Sequence, residues 1–138
     1  MRPKMIENAP ALDLDKVLYK HGPVPPHIIR ERRIVWNLLK HLIKAGFKPI
    51  NVDDGGETTH LSNVPMFAMK EAMELIFNLD EAHVLFLPIS KLKPKAIAQW
   101  VFLVLGNDLD VVSDWSLLPK GRDDFNAAME LFNAEDYA

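Results

Sequence analysis

The chain has 138 residues, of which 49% are hydrophobic and 25% are charged, and it carries a formal net charge of -3 with no cysteine. These proportions are typical of one globular domain. They exclude a disordered chain, a collagen-like repeat and a disulfide-stapled scaffold. No apolar run approaches the ~20 residues that cross a bilayer, and the first ten residues lack the apolar centre of a signal peptide. We therefore expect a cytoplasmic protein without membrane association.

Charge is divided unevenly along the chain. Residues 1–50 carry a net charge of +6, whereas residues 51–138 carry a net charge of -9. Such a difference in sign between two halves indicates a charged partner or self-association.

The first 26 residues contain five prolines and no sustained hydrophobic period. We predict an extended N-terminal arm over 1–26. Within it only residues 12–19 alternate, as an edge strand or as a single helical turn. The remaining residues, 27–138, are predicted to form one domain.

Residues 27–45 follow the helical period, with apolar residues on one wide arc and polar residues on the other. Pro26 stands at a first-turn position and Gly46 at a terminator position, so the pattern predicts an amphipathic helix. Residues 47–52 then alternate and run into a turn, which is typical of a strand. Because Pro49 cannot donate a ladder hydrogen bond, we predict that this strand lies at a sheet edge.

A second helix is predicted from Pro65 to near Asn78, with Ser62 and Asn63 as its cap candidates. Its apolar face carries three methionines that repeat at helical spacing. We expect this helix to cover one side of a sheet.

Three strands and a closing helix are predicted in the second half of the chain. The strands cover 82–89, 96–105 and 111–115, and the short Gly-Asn turn pairs the last two as an antiparallel hairpin. Asp123 caps the closing helix. The order of these elements predicts an α+β fold, a mostly antiparallel sheet of about four strands with two or three helices packed on it.

The strongest electrostatic feature is the polar face of the first helix. Arg32 and Lys48 lie near this face, and the basic residues on it are Arg30, Arg33, Lys40, His41 and Lys44. Two interpretations stay open. A nucleic-acid backbone is attracted to such a stripe, or the stripe docks on the acidic half of a second subunit. On the second helix, Phe67 falls on the polar arc and is predicted to contact a partner.

An acid-rich loop after the first strand offers a third interpretation. Oxygen-rich loops of this kind hold Ca²⁺ or Mg²⁺, although adjacent acids in a Gly-Gly turn are usually only solvated. The candidate ligands of a metal-dependent hydrolase are Asp53, Asp54, Glu57 and His60. Acids of 107–114 would join them if the two loops converge.

Catalytic signatures are otherwise missing from the sequence. The five histidines have no zinc-site spacing, no Gly-x-Ser-x-Gly surrounds a serine, and no cysteine can serve as a thiol nucleophile. The sequence therefore favours a non-enzymatic protein and indicates no cofactor.

Residues 99–115 run from a hydrophobic strand through Gly106-Asn107 into Asp110-Val111-Val112-Ser113-Asp114-Trp115, and the helix before them ends in the acidic turn Asn78-Leu79-Asp80-Glu81. This pattern, over 65–115, resembles small uncharacterised proteins of tailed bacteriophages and prophages. The resemblance implies a phage or prophage setting in the host cytoplasm and carries no catalytic residues. The leading interpretation is an accessory protein that binds another protein, often as a homodimer.

Overall fold

The computed structural model describes residues 25–90, 98–106, 111–115 and 123–137. The predicted N-terminal arm lies outside the described residues except for its last two. In chain order the elements are α1 (Pro26–Lys44), β1 (Phe47–Asp53), β2 (Thr58–His60), α2 (Pro65–Ile76), β3 (Glu81–Pro88), β4 (Gln99–Val104), β5 (Val112–Trp115), α3 (Asp123–Leu131) and a 3₁₀ helix (Ala134–Tyr137).

The five strands form one antiparallel sheet in the order β2-β1-β3-β4-β5. The predicted α+β class is confirmed, with five strands instead of about four, and β4 and β5 form the predicted hairpin. The additional strand is β2, which is three residues long and pairs with β1. Its sequence, Thr-Thr-His, is too short and too polar to show a strand period.

The first helix begins and ends where its sequence predicts. Pro26 occupies the first turn of α1, where a missing backbone N–H removes no helical hydrogen bond. At the other end, the N–H of Ala45 donates to the carbonyl of His41 at 3.0 Å. The chain then leaves the helix through Gly46, which has a φ of 99°, a conformation that glycine adopts at little cost.

An apolar core fills the space between the helices and one face of the sheet. Alternate strand residues point into it, as the period of two requires. Val52, Val84 and Val101 are register neighbours across β1, β3 and β4, and all three are buried. From α3, Phe125 packs edge-on against Phe47, with the ring centroids 5.0 Å apart. The described helices therefore cover one face of the sheet.

The prediction that β1 lies at a sheet edge is wrong for the strand as a whole. β1 runs between β2 and β3, and the register of its pairing with β3 shifts between Pro49 and Asn51. Such a bulge takes one residue out of the ladder. β2 pairs only with Asn51, Val52 and Asp53, so Pro49 lies in the half of β1 that has a described strand on one side only, where proline is tolerated.

Neither Ser62 nor Asn63 caps α2. The N-cap residue is Val64, which makes no side-chain cap hydrogen bond, and a proline fills the first turn. The hydroxyl of Ser62 instead accepts a hydrogen bond from the N–H of Val64 at 3.1 Å. The N–H of Ser62 donates to Glu71 Oε1 at 2.6 Å. These two bonds fix the turn that leads into the helix.

Candidate binding surfaces

The predicted basic residues other than His41 share the outer side of α1, with Asn37 between Arg33 and Lys40. We call Arg30, Arg33, Lys40 and Lys44 the cationic stripe. Arg33 and Lys44 are exposed, and Arg30 and Lys40 are half-buried. Helical spacing explains this arrangement, because positions three and four apart share one face. Among the described residues, no carboxylate forms an ion pair with Arg33, Lys40 or Lys44.

The neighbouring residues Glu31 and Arg32 lie on the opposite side of α1 and have no exposed surface. Both carboxylate oxygens of Glu31 accept hydrogen bonds from the N–H of Gly106, at 2.8 and 3.1 Å. The guanidinium carbon of Arg32 lies 5.1 Å from the centre of the Phe77 ring, a cation–π contact. Arg32, which the sequence placed near the basic face, therefore packs inside the protein.

His41 lies at the border between the cationic stripe and α3. Its Nε2 atom is 2.6 Å from the carbonyl oxygen of Ala128, and because a carbonyl only accepts, the imidazole N–H donates. The ring also packs on Phe132, with the centroids 5.6 Å apart. His41 thus joins α1 to α3.

Acidic residues occupy the elements beside the cationic stripe. Both α3 and the 3₁₀ helix pack against α1, and they carry the exposed carboxylates of Glu130, Glu135 and Asp136. On α3, Leu131 has 79% of its surface exposed. The cationic stripe is therefore bordered by exposed carboxylates and by one exposed apolar side chain.

The two aspartates after the first strand bond to their own turn. The carboxylate of Asp53 accepts hydrogen bonds from the hydroxyl of Thr58 at 2.6 Å and from the N–H of Gly55 at 2.7 Å. The carboxylate of Asp54 accepts from the N–H groups two and three residues further on, at 2.9 and 2.7 Å. The threonine and glycine bonds lower the pKa of Asp53, and the two amide bonds lower the pKa of Asp54, because they favour the charged form. Both carboxylates stabilise the β1–β2 hairpin.

Of the other two candidate metal ligands, Glu57 donates its backbone N–H to Asp54 and His60 ends β2. Glu57 and His60 are both exposed. Within the described segments, no group of three or more histidine, aspartate or glutamate side chains is arranged to hold a metal ion. Of the second acidic loop, 107–110 lies outside the described residues. Asp114 is exposed on β5, and β3 and β4 separate that strand from β1.

A groove of about 450 Å³ lies between β2 and α2. The exposed carboxylates of Glu71 and Glu74 border it on the helix side. Its apolar floor packs against the core and consists of Leu61, Leu75 and Leu79. The sequence does not predict this groove, because one of its walls is β2, which has no strand pattern of its own.

The predicted contact residue Phe67 is close to the same groove. It is 52% exposed and lies four residues before Glu71, on the same side of α2. The neighbouring Val64 is also exposed, at 41%. The N-terminal end of α2 therefore presents an apolar surface next to an acidic one.

Aromatic side chains lie on the sheet face that no described helix covers. Trp100 is 41% exposed, and the imidazole of His83 stacks on Phe102, with the centroids 4.4 Å apart. In register, Asp53 lies beside His83 and Asp114 beside Phe102. Carboxylates at both ends of this row would repel phosphates, so the face does not suit base stacking by a nucleic acid.

Comparison with known proteins gives no relative for this chain. No family model, no curated protein and no solved structure matches it. Among the described helices, none is both long enough and apolar enough to span a membrane.

Proposed function

We propose that this protein performs no chemistry and acts by binding protein, in the phage or prophage setting that the resemblance of residues 65–115 implies. The cationic stripe is the docking surface, and a second copy of the chain is the partner. The observation that carries the proposal is the row of basic side chains on α1, three of which have no carboxylate partner among the described residues.

Charge complementarity supports a second copy as the partner. In a dimer with two-fold symmetry the same surface is used by both subunits, so each contact occurs twice. With the axis between α1 and α3, the stripe of each subunit faces the acidic border of the other. Leu131 adds apolar area within this interface. Such complementary charges give an interface its specificity and its orientation.

Sedimentation velocity at two salt concentrations tests the proposal. We expect a dimer at low salt that dissociates on addition of salt, because 1 M salt screens exposed charges beyond about 3 Å. The double variant Lys40→Glu with Lys44→Glu should be monomeric. Lys70→Glu, the same change at an exposed position on α2, should leave the dimer intact. A wild-type protein that stays monomeric at every concentration contradicts the proposal.

Nucleic-acid binding by the same stripe is the competing outcome. Phosphates would be attracted to the stripe, but the carboxylates on α3 and the 3₁₀ helix would repel them, which favours a protein partner. A mobility-shift assay with short duplex DNA and single-stranded RNA separates the two. We expect no shift by the wild type. A shift that disappears when Arg30, Arg33, Lys40 and Lys44 are all reversed to glutamate would assign the stripe to nucleic acid.

A further inference from the structure

The groove between β2 and α2 is a second surface, separate from the cationic stripe. We propose that it binds an extended segment of a partner protein that carries basic and apolar side chains together on one face of the strand, at every second position. The segment pairs with β2 as a sixth strand of the sheet. Addition of a strand to an exposed sheet edge is a common form of peptide recognition, in which backbone hydrogen bonds give affinity and side-chain pockets give specificity.

The outer edge of β2 offers backbone groups for this pairing. β2 is the end strand of the sheet. The backbone of Glu57 hydrogen-bonds to the residue that follows β1, and the backbone of Leu61 hydrogen-bonds to β1 itself. Thr59 lies midway between them along the chain. Because hydrogen-bonded pairs alternate in an antiparallel ladder, these three residues face β1. The N–H and C=O groups of Thr58 and His60 therefore point outward, where no described strand pairs with them.

The apolar floor of the groove can receive every second side chain of an added strand. Successive residues of a strand point to opposite faces of the sheet, so one set would point toward α2. There it would contact Leu61, Leu75 and Leu79. A volume of about 450 Å³ is within the range of small-ligand sites, and it accommodates more than one aliphatic side chain.

The charge of the helix wall defines the polar residues of the partner. Glu71 and Glu74 are exposed, one turn apart along the groove. One oxygen of Glu71 accepts the N–H of Ser62, and the carboxylate of Glu74 has no partner among the described residues. Lysine or arginine side chains in the set that points toward α2 would pair with these carboxylates, whereas acidic side chains in that set would be repelled. Phe67 extends the same wall with apolar surface.

A peptide array probed with the full-length protein tests the selectivity of the groove. The peptides have about eight residues, with Ser at every second position and Lys, Glu, Val and Leu permuted at the positions between. We expect binding of peptides that carry both Lys and Val or Leu on this one face, and no binding of their counterparts with Glu in place of Lys. An array without this selectivity overturns the proposal.

Matched variants test the predicted pairing, with the best lysine-bearing peptide titrated by fluorescence anisotropy. His60→Pro removes an outward N–H, and an edge strand tolerates proline at such a position. His60→Ala retains the N–H. We expect about tenfold weaker binding by His60→Pro, and a change of less than about twofold for His60→Ala. Equal binding by the two variants overturns the pairing with β2.

Charge reversal provides a second test that does not depend on the backbone change. Glu74→Lys should weaken binding of the lysine-bearing peptide by about fivefold or more. Glu81→Lys, the same change at an exposed position on β3, should have no effect, and neither should Lys40→Glu with Lys44→Glu, which separates this proposal from the dimer. Unchanged binding by Glu74→Lys overturns the assignment of the basic residues to this wall.

Discussion

Removal of the Glu31 carboxylate should destabilise the protein more than any single change in the cationic stripe. Glu31 has no exposed surface, and both its oxygens accept hydrogen bonds from the N–H of Gly106, at 2.8 and 3.1 Å. The two residues are 75 positions apart in the sequence. The contact therefore joins the first helix to the turn that follows β4.

The size of the effect follows from the contacts that are lost. A hydrogen bond to a charged group contributes about 1.5–3 kcal/mol, and truncation of a buried side chain leaves a cavity as well. We expect Glu31→Ala to lower the free energy of unfolding by about 3 kcal/mol. An unfolding entropy of about 2.1 cal/mol/K per residue converts this loss to a decrease in Tm of about 10 °C. Glu31→Gln retains the shape and one acceptor oxygen, and should lose about 1 kcal/mol.

Urea unfolding followed by tryptophan fluorescence measures these differences. Glu81→Ala, at an exposed position on β3, is the control and should change the free energy of unfolding by less than about 0.5 kcal/mol. If Glu31→Ala lowers the free energy of unfolding no more than this control does, the hydrogen bonds between Glu31 and Gly106 do not stabilise the contact of α1 with the hairpin.

Two further predictions concern the β1–β2 hairpin. Gly55 has a φ of 96°, so Gly55→Ala should lower the free energy of unfolding by about 1 kcal/mol. At Gly56 an added methyl group meets only Asp54 Oδ1, at 3.8 Å, so Gly56→Ala should lower the free energy of unfolding by less than about 0.5 kcal/mol in a thermal melt. Equal losses in the two variants would contradict the assignment of strain to Gly55. The hydroxyl of Thr58 is the largest cause of the lowered pKa of Asp53. Thr58→Val should therefore raise the pKa of Asp53 toward its ordinary value in a carboxyl NMR titration. An unchanged pKa of Asp53 in this variant would refute the assignment. Asp53 stabilises the folded protein above the ordinary carboxyl pKa, and this stabilisation is lost as the pH falls through the lowered pKa of the folded state. Thr58→Val should therefore lose less stability on acidification than the wild type does.

The first helix was predictable from sequence because its limits are set locally. Its apolar period, the proline in its first turn and the glycine after its end all act within the segment itself. The strand hairpin of β4 and β5 is predictable for the same reason, since a short turn leaves antiparallel pairing as the available arrangement.

The position of β1 within the sheet was only partly predictable from Pro49. Proline marks a position without a neighbouring strand on its nitrogen side, and this holds for the half of β1 around Pro49, whereas the pairing of residues 51–53 with β2 leaves no signal in the sequence. β2 has no pattern of its own, because three polar residues become a strand only through their hydrogen bonds to β1.

The candidate surfaces divide in a similar way. Helical spacing predicts which basic residues share the outer face of α1. It cannot predict that Glu31 and Arg32 are buried, because their partners, Gly106 and Phe77, come from other elements. The groove at β2 was equally hidden, since it forms only when that strand and α2 come together.

The most direct test of the proposed dimer mixes two charge-reversed proteins. One carries Lys40→Glu and Lys44→Glu, and the other carries Glu135→Lys and Asp136→Lys. Alone, each variant brings like charges together in both halves of the symmetric interface, so each should be monomeric in sedimentation velocity at low salt. In the mixture, opposite charges meet in both halves, and we predict a heterodimer. A mixture that stays monomeric, or a single variant that dimerises as the wild type does, would contradict the proposal.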